Sequence, residues 1–423
     1  MDSKMDAPED TGKHSVSLLS WEMLPFLTLF GGQSISLFGS RLVQFAIVWW
    51  LTETSGSASV LATATIMAVL PQVVIAPFAG AIVDRWSRRL VMMVSDSLVA
   101  LAVLLLAYLY SGGGVQVWQI YLIMFFRSSM DAFQWPAMQA STSMMVPKEH
   151  LPRVAGLRQS VQGIVNILAP PMGAVLLGFL PVYLVLGIDV LTAILAVGPL
   201  FFIAIPQPVR GDTSARGVLS DMKEGFRFIW ERKTMMSILE IALVLNMVSG
   251  PAFSLLPLLV VNHFKGSAIE LAYLQSASGV GLITGGIILG VWGGFKRRVE
   301  TAFTALTASG LGIIGIGLAP GNLLWAAVVS IFVFGIMNSI SNGSFFSVIQ
   351  TVIPNELQGR VFTLVMSASV AVMPLGLAIA APVAEVIGVR SWFLISGAVT
   401  IGAGIYGLLN PRIRGFEDTL TTE

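Results

Sequence analysis

The chain has 423 residues, of which 55% are hydrophobic and 11% charged, and its formal net charge is +1. A soluble fold could not bury so much apolar surface, a disordered chain would carry more charge, and the charge balance gives no reason to expect nucleic acid as a partner. The absence of cysteine excludes disulfides and thiolate metal sites, and three scattered histidines predict no metal centre. The composition therefore predicts an all-α protein embedded in a lipid bilayer.

Twelve apolar runs along the chain are long enough to cross the hydrocarbon layer, which requires about 20 helical residues. They lie at 22–50, 60–83, 90–110, 117–140, 157–180, 184–205, 236–261, 270–293, 301–318, 323–349, 361–387 and 391–409. The polar tail at 1–21 lacks the basic and then apolar pattern of a cleaved signal, so we expect it to stay in the mature protein.

A polar stretch at 206–235 divides the predicted spans into two sets of six, at 22–205 and 236–409, and a second tail follows at 410–423. Within this linker a group of apolar side chains shares one helical face, which is typical of a helix on the membrane surface. The group is Val218, Leu219, Met222, Phe226 and Ile229.

The basic residues indicate an orientation. Of the 24 Lys and Arg residues, 20 fall on the side of the N-terminus, whereas only Lys265 and Arg390 fall on the other side. Basic residues accumulate in cytoplasmic loops. We therefore expect both termini in the cytoplasm, which agrees with an even number of spans.

Two loop patterns occur twice. The spacing V-P-x-E-x-x-x-R-V at 146–154 returns as I-P-x-E-x-x-x-R-V at 353–361, an offset of 207, and the Arg-Arg pair at 88–89 returns at 297–298. Each half therefore carries the same signals at the same places. Internally repeated helical bundles are typical of secondary transporters.

The loop after the second span contains the most specific motif. From Gly80 it reads G-A-I-V-D-R-W-S-R-R, which resembles the loop signature G-x-x-x-D-R-x-G-R-R of the major facilitator superfamily, with Ser87 in place of Gly. A glycine there is expected to allow close helix approach. The resemblance implies a conformational latch, formed by Gly80, Asp84, Arg85, Arg88 and Arg89.

Two further motifs resemble those of the superfamily, and some longer sequence strings resemble one particular branch of it. Arg127 with the following serines is similar to the superfamily's span-4 arginine motif, and A-P-P-M-G-A at 169–174 is similar to the G-P-x-x-G-G motif of drug:proton antiporters. The strings Q-S-I-S-L-F-G-S at 33–40 and W-W-L-T-E-T-S-G-S-A at 49–58 resemble the bacterial macrolide-efflux branch.

This resemblance implies the major facilitator fold of twelve helices in two six-helix halves, located in the cytoplasmic membrane of a bacterium. It implies export of a bulky amphipathic small molecule in exchange for protons by alternating access, with no cofactor, and we expect a monomer. The alternative is an exporter of a siderophore or another endogenous metabolite. A membrane-embedded enzyme or lipid-binding scaffold is the rival from another class, and the chain contains no motif of ATP-driven, zinc-protease or serine-hydrolase chemistry.

Ionisable groups inside spans usually face a cavity or a partner. Arg127 and Asp131 are four residues apart and so share a helical face. Our hypothesis is that Asp131 exchanges a proton while Arg127 alternately pairs with it, and the alternative is a permanent ion pair that fixes helix packing. Asp189 could bind a cation or a proton, or could pair with Arg41.

Asp96 is expected to form a local salt bridge with Arg85 or Arg88. Polar side chains elsewhere in the spans are candidates for a central cavity, with interhelical hydrogen bonds as the alternative role. With Arg41, these candidates are Gln33, Gln44, Gln134, Asn166, Asn246 and Asn338.

Overall fold

The computed structural model describes residues 23–206 and 226–415. In this part of the chain the ordered elements are helices, and twelve of them are long. They are α1 Leu24–Ser55, α2 Ala58–Arg85, α3 Arg88–Ser111, α4 Val117–Met145, α5 Leu151–Phe179, α6 Val182–Leu200, α7 Lys233–Ser254, α9 Ala268–Trp292, α10 Arg298–Leu318, α11 Leu324–Val352, α12 Asn355–Ile387 and α13 Val389–Leu409. The shorter helices are α8 Leu256–Asn262, α14 Pro411–Arg414, a 3-10 helix at Lys148–His150 and a helical segment at 226–231.

Eleven of the long helices are apolar enough to span a membrane by length and composition. The twelfth, α4, has 29 residues and is long enough, but Arg127, Asp131 and its glutamines lower its mean hydropathy. Three of these side chains, those of Arg127, Asp131 and Gln134, are predicted site residues. The predicted all-α membrane fold is confirmed.

The predicted seventh span is wrong in one respect, because 236–261 is two helices. The chain breaks at Leu255, between α7 and α8, and Pro257 lies at the first turn of α8. Proline has no backbone N–H and its ring clashes with the preceding turn, so it begins a helix more readily than it continues one.

The linker and tails are described only in part. The predicted tail at 1–21, residues 207–225 of the linker and residues 416–423 lie outside the described residues. Residues 226–231 are helical, with Ile229 buried and Phe226 exposed, and the membrane-surface position of this helix stays a prediction.

The long helices form two bundles that correspond to the repeat. In the first half α1 packs on α5 and α6, and α2 packs on α4; in the second half α9 packs on α11, and α10 packs on α11 and α13. The main contacts between the two halves run along two helix pairs, α2 with α12 and α5 with α9, and smaller contacts join α1 to α8 and α2 to α7. The repeat relates α2 to α9 and α5 to α12, so the two main contacts are equivalent.

The two ends of the bundle differ in how the halves are joined. We call the end with Arg85, Arg88, Arg89 and Arg297 the basic face, and the end with Gly56 and Glu385 the opposite face. At the opposite face one hydrophobic cluster includes residues of both halves, among them Trp49, Leu61, Leu259, Ala384 and Trp392. Toward the basic face each half has a separate cluster, with Phe26 and Met92 in one and Ile238 and Phe303 in the other. The halves are therefore closed at the opposite face and apart at the basic face.

A carboxylate of the second half also binds the first half at the opposite face. The Ser57 hydroxyl donates to Glu385 Oε1 at 2.9 Å, and the Ser59 backbone N–H donates to the same oxygen at 3.0 Å. Ser59 lies in the first turn of α2, where free N–H groups favour a negative charge. Glu385 thus caps a helix of the other half.

Candidate functional site

A cavity of about 540 Å³ lies inside the first half. All six helices α1–α6 contribute to its wall, and the described lining residues all come from this half. Six charged side chains face it, three cationic and three anionic. They are Arg41, Arg127, Arg158, Asp96, Asp131 and Asp189.

Arg127 and Asp189 form the buried ion pair of this site. Arg127 Nη1 lies 3.2 Å from Asp189 Oδ2, and the Asp189 side chain is only 3% exposed. The Ser40 hydroxyl donates to Asp189 Oδ1 at 3.0 Å. The pair thus joins α4 to α6, and Ser40 adds α1. Of the alternatives considered for Asp189, the pair with Arg41 is not the one formed here, because the side chain that reaches Asp189 comes from α4.

Asp131 is exposed to the cavity. Within the described part of the chain, its carboxylate has no hydrogen bond or close ion pair, and Arg127, Arg41 and Asp189 interact with it electrostatically. Arg127 and Asp131 thus share one side of α4, as their spacing predicts, while the guanidinium contacts Asp189 instead. A permanent Arg127–Asp131 pair, the alternative considered above, is absent from this state.

Arg41 also reaches the cavity from α1. Its Nη1 donates to Gln44 Oε1 at 2.9 Å, and both side chains are exposed there. A neutral amide leaves the positive charge of Arg41 uncompensated at close range, so the guanidinium can attract an anionic group in the cavity.

Three side chains from three helices form a hydrogen-bonded chain in the same wall. Gln134 Nε2 donates to Gln33 Oε1 at 2.6 Å, and Gln33 Nε2 donates to Asp96 Oδ2 at 2.8 Å. The expected salt bridge of Asp96 with Arg85 or Arg88 is therefore replaced by contact with Gln33. Asp96 lies two helical turns beyond Arg88, where α3 packs inside the bundle instead of at its end.

Arg158 belongs to the site although it was counted only as a topology signal in the sequence. Its guanidinium lies 4.7 Å above the centre of the Trp135 ring and donates to Gln139 Oε1. The signal that could have revealed it is its helical spacing from Val161 and Gln162, which also line the cavity.

The other cavity candidates divide into two groups. Gln33, Arg41, Gln44 and Gln134 line this cavity. Asn166, Asn246 and Asn338 do not belong to its described lining, and their place in a larger substrate path stays a prediction. Asn246 donates to the carbonyl of Ala242, and Asn338 accepts from Asn342.

The loop motif ties the first half together at the basic face. Arg88 Nη1 donates to the Ala140 carbonyl at 3.1 Å, and Arg89 Nη2 donates to the Phe201 carbonyl at 2.5 Å. Arg85 is exposed, and the side chain of Asp84 lies outside the described set. A Cβ at Gly80 would meet no described atom within 4 Å. No close approach at Gly80 is seen among the described atoms, and the role of this motif as a latch stays a prediction.

Comparison with known proteins places these features in a wider group. The family profile described as Major Facilitator Superfamily matches residues 29–376. Macrolide efflux protein A of Streptococcus pyogenes is 31% identical over 396 residues, covering 93% of this chain and 98% of that protein. The multidrug efflux pump Tap of Mycolicibacterium fortuitum is 27% identical, covering 89% and 93%. The crystal structure of a D-xylose-proton symporter superposes with a TM-score of 0.69 at 13% identity, covering 93% of this chain and 98% of that one.

Proposed function

The chain belongs to the Major Facilitator Superfamily and is a multi-pass membrane transporter, and from this premise we propose that it exports a bulky amphipathic compound in exchange for protons. Macrolide efflux protein A and the multidrug efflux pump Tap, which match over about nine-tenths of the chain, are named for efflux, and this supports a macrolide-like substrate. The proposed location is the cytoplasmic membrane of a bacterium, and the proposed working unit is a monomer.

The proposed orientation places the basic face and both termini in the cytoplasm, because 20 of the 24 basic residues belong to that side. In this orientation the separate clusters at the basic face and the shared cluster at the opposite face correspond to a state open to the cytoplasm. The proposed domain division is the pair of halves at 22–205 and 236–409, joined by the linker at 206–235.

The observation that carries the proposal is the accessible carboxylate of Asp131 beside an arginine engaged elsewhere. A carboxylate without a fixed partner, exposed to the cavity, can exchange a proton with the cytoplasm in this state. Arg127, four residues away, is bound to Asp189. We infer that Asp131 carries the proton inward and releases it here, and that Arg127 moves between Asp189 and the ionised Asp131 as the transporter changes state.

The apolar part of the wall supports a large amphipathic substrate. Phe30, Met124, Trp135 and Met138 line the cavity, and its volume lies in the range of sites for drug-sized ligands. Methionine side chains are flexible and adapt to ligands of different shape.

The test uses everted membrane vesicles with an acidic lumen, in which export appears as uptake of the drug into the vesicle. Uptake of erythromycin and release of protons from the lumen are measured. We expect the native chain to accumulate the drug and release lumenal protons, and we expect Asp131→Asn to lose both activities while Asp131→Glu keeps them. Export by Asp131→Asn that is still fully driven by the gradient would contradict the assignment, and so would accumulation by the native chain that an uncoupler leaves unchanged.

A second candidate function is export of an anionic metabolite such as a catecholate siderophore, and the exposed guanidinium of Arg41 favours it. The same vesicles distinguish the two candidates when both compound classes are supplied. Arg41→Gln should reduce siderophore uptake under this second function and leave macrolide uptake largely intact under the first.

A further inference from the structure

The hydrogen-bonded chain of Gln134, Gln33 and Asp96 has no part in the proton cycle described above. It joins α4, α1 and α3 in the cavity wall, and both glutamines donate in the direction of Asp96. Each glutamine orients the next side chain, so the Asp96 carboxylate is held at a fixed place. Its Oδ1 receives none of these bonds, and the side chain is partly accessible.

The charges around Asp96 differ from those around Asp131. Asp131 interacts electrostatically with two arginines, Arg127 and Arg41, as well as with Asp189. The described charged groups that interact with Asp96 are two other carboxylates, Asp131 and Asp189. A cation that enters the cavity is therefore attracted to Asp96 and meets the least repulsion there.

We propose that Asp96, with Gln33 and Gln134, forms a subsite that binds the positively charged group of an exported cationic compound. Gln33 holds Oδ2, Oδ1 accepts the cation, and the free Oε1 of Gln134 offers a second acceptor. The inference rests on the proposed export function, because it assigns part of the same cavity to the substrate. It divides the work between two carboxylates, with Asp131 for the proton and Asp96 for the substrate.

The division follows from the hydrogen bonds and charges of the two sites. A carboxylate that must take up and release a proton repeatedly benefits from a nearby arginine that can replace the proton, and Asp131 has one in Arg127. Asp96 has a neutral amide donor, which orients the carboxylate without neutralising it. Its charge is left for a ligand.

The test measures equilibrium binding of tetraphenylphosphonium, a permanent lipophilic cation, to the purified full-length chain without any proton gradient. Triphenylphosphine oxide is the matched neutral probe. We expect Asp96→Asn to weaken binding of the cation by about tenfold or more, the effect of removing one partner of a desolvated charge pair, and to leave the neutral probe unchanged. Gln33→Lys should have the same effect, since its ammonium group would occupy the subsite while Asp96 stays in place.

Glu270→Gln is the control, because this carboxylate caps the first turn of α9 outside the cavity. Native-like affinity of Asp96→Asn for the cation, or equal loss of both probes, would overturn the inference, as would a native chain that does not bind the cation saturably. The assay needs no gradient, so a failure of proton coupling in the vesicles leaves its result valid. Likewise, failure of the binding assay to show selectivity for the cation does not affect the conclusion drawn from proton-coupled uptake in the vesicles.

Discussion

Arg127 and Asp189 form a largely buried pair, with 15% and 3% of their side chains exposed, so their mutual attraction is stronger than that of a surface pair. Removing one member leaves the other as an unpaired buried charge, which costs about 3–5 kcal/mol. We expect Arg127→Gln and Asp189→Asn each to lower the free energy of unfolding by this order, and the double variant to lose much less than the sum.

A double-mutant cycle on thermal unfolding in detergent measures this coupling. Arg41→Gln is the matched control, because that guanidinium is exposed to the cavity and, among the described residues, its hydrogen bond goes to a neutral amide. Additive losses from Arg127→Gln and Asp189→Asn would show that the 3.2 Å contact contributes little to stability.

The sequence predicted which residues are charged inside the bilayer but not which of them meet. Helical spacing placed Arg127 and Asp131 on one face, and that holds. The pairing of Arg127 with Asp189 depends on how α4 and α6 pack, and no local pattern encodes it. Asp96 shows the same limit, because its partner Gln33 lies 63 positions away in the chain.

At the scale of helices, the contact between α9 and α11 depends on glycine. A Cβ at Gly285 would collide with the backbone of Ile336, whereas a Cβ at Gly290, five residues further along α9, would meet no described atom within 4 Å. Small residues let membrane helices approach closely. We expect Gly285→Ala to destabilise the protein by about 1–3 kcal/mol and Gly290→Ala to have little effect.

Thermal unfolding of the two purified variants in the same detergent compares them directly. Because both changes add the same methyl group to the same helix, intrinsic helix propensity is matched between them. Equal stability of Gly285→Ala and Gly290→Ala would contradict close packing of α9 on α11.

Hydropathy predicted the helices well because a bilayer permits few other structures. It failed at Leu255, between α7 and α8, because a break by proline changes neither the length nor the hydropathy of an apolar run. It also missed the place of Arg158 in the cavity wall. A basic residue near a helix end is interpreted as a topology signal unless the packing of the helix is known.

At the scale of the whole molecule, Glu385 is a candidate gate residue. It binds Ser57 and Ser59 across the halves, and this contact must break before the opposite face can open. We expect Glu385→Ala to shift the equilibrium toward opening there by about 1 kcal/mol, roughly a fivefold change in the ratio of states.

The chain contains no cysteine, so spin labels can be placed at Ser111→Cys and Asn322→Cys, two exposed sites of the opposite face in different halves. We expect Glu385→Ala to increase the population with the longer label distance. Glu270→Gln is the control, because it removes a cap of the repeat-related helix α9 that lies within one half. An unchanged distance distribution in Glu385→Ala would contradict the gate.

The equal numbers of arginines and aspartates in the cavity have a consequence for the membrane potential. When all six are ionised their charges sum to zero, so reorientation of the empty cavity moves little net charge and responds weakly to voltage. Each elementary charge that crosses the field gains or loses about 2.3 kcal/mol per 100 mV. Exchange of one proton for a monovalent cation then moves no net charge, whereas exchange of one proton for a neutral compound carries a current. The charge of the exported compound therefore determines whether the membrane potential contributes to its export.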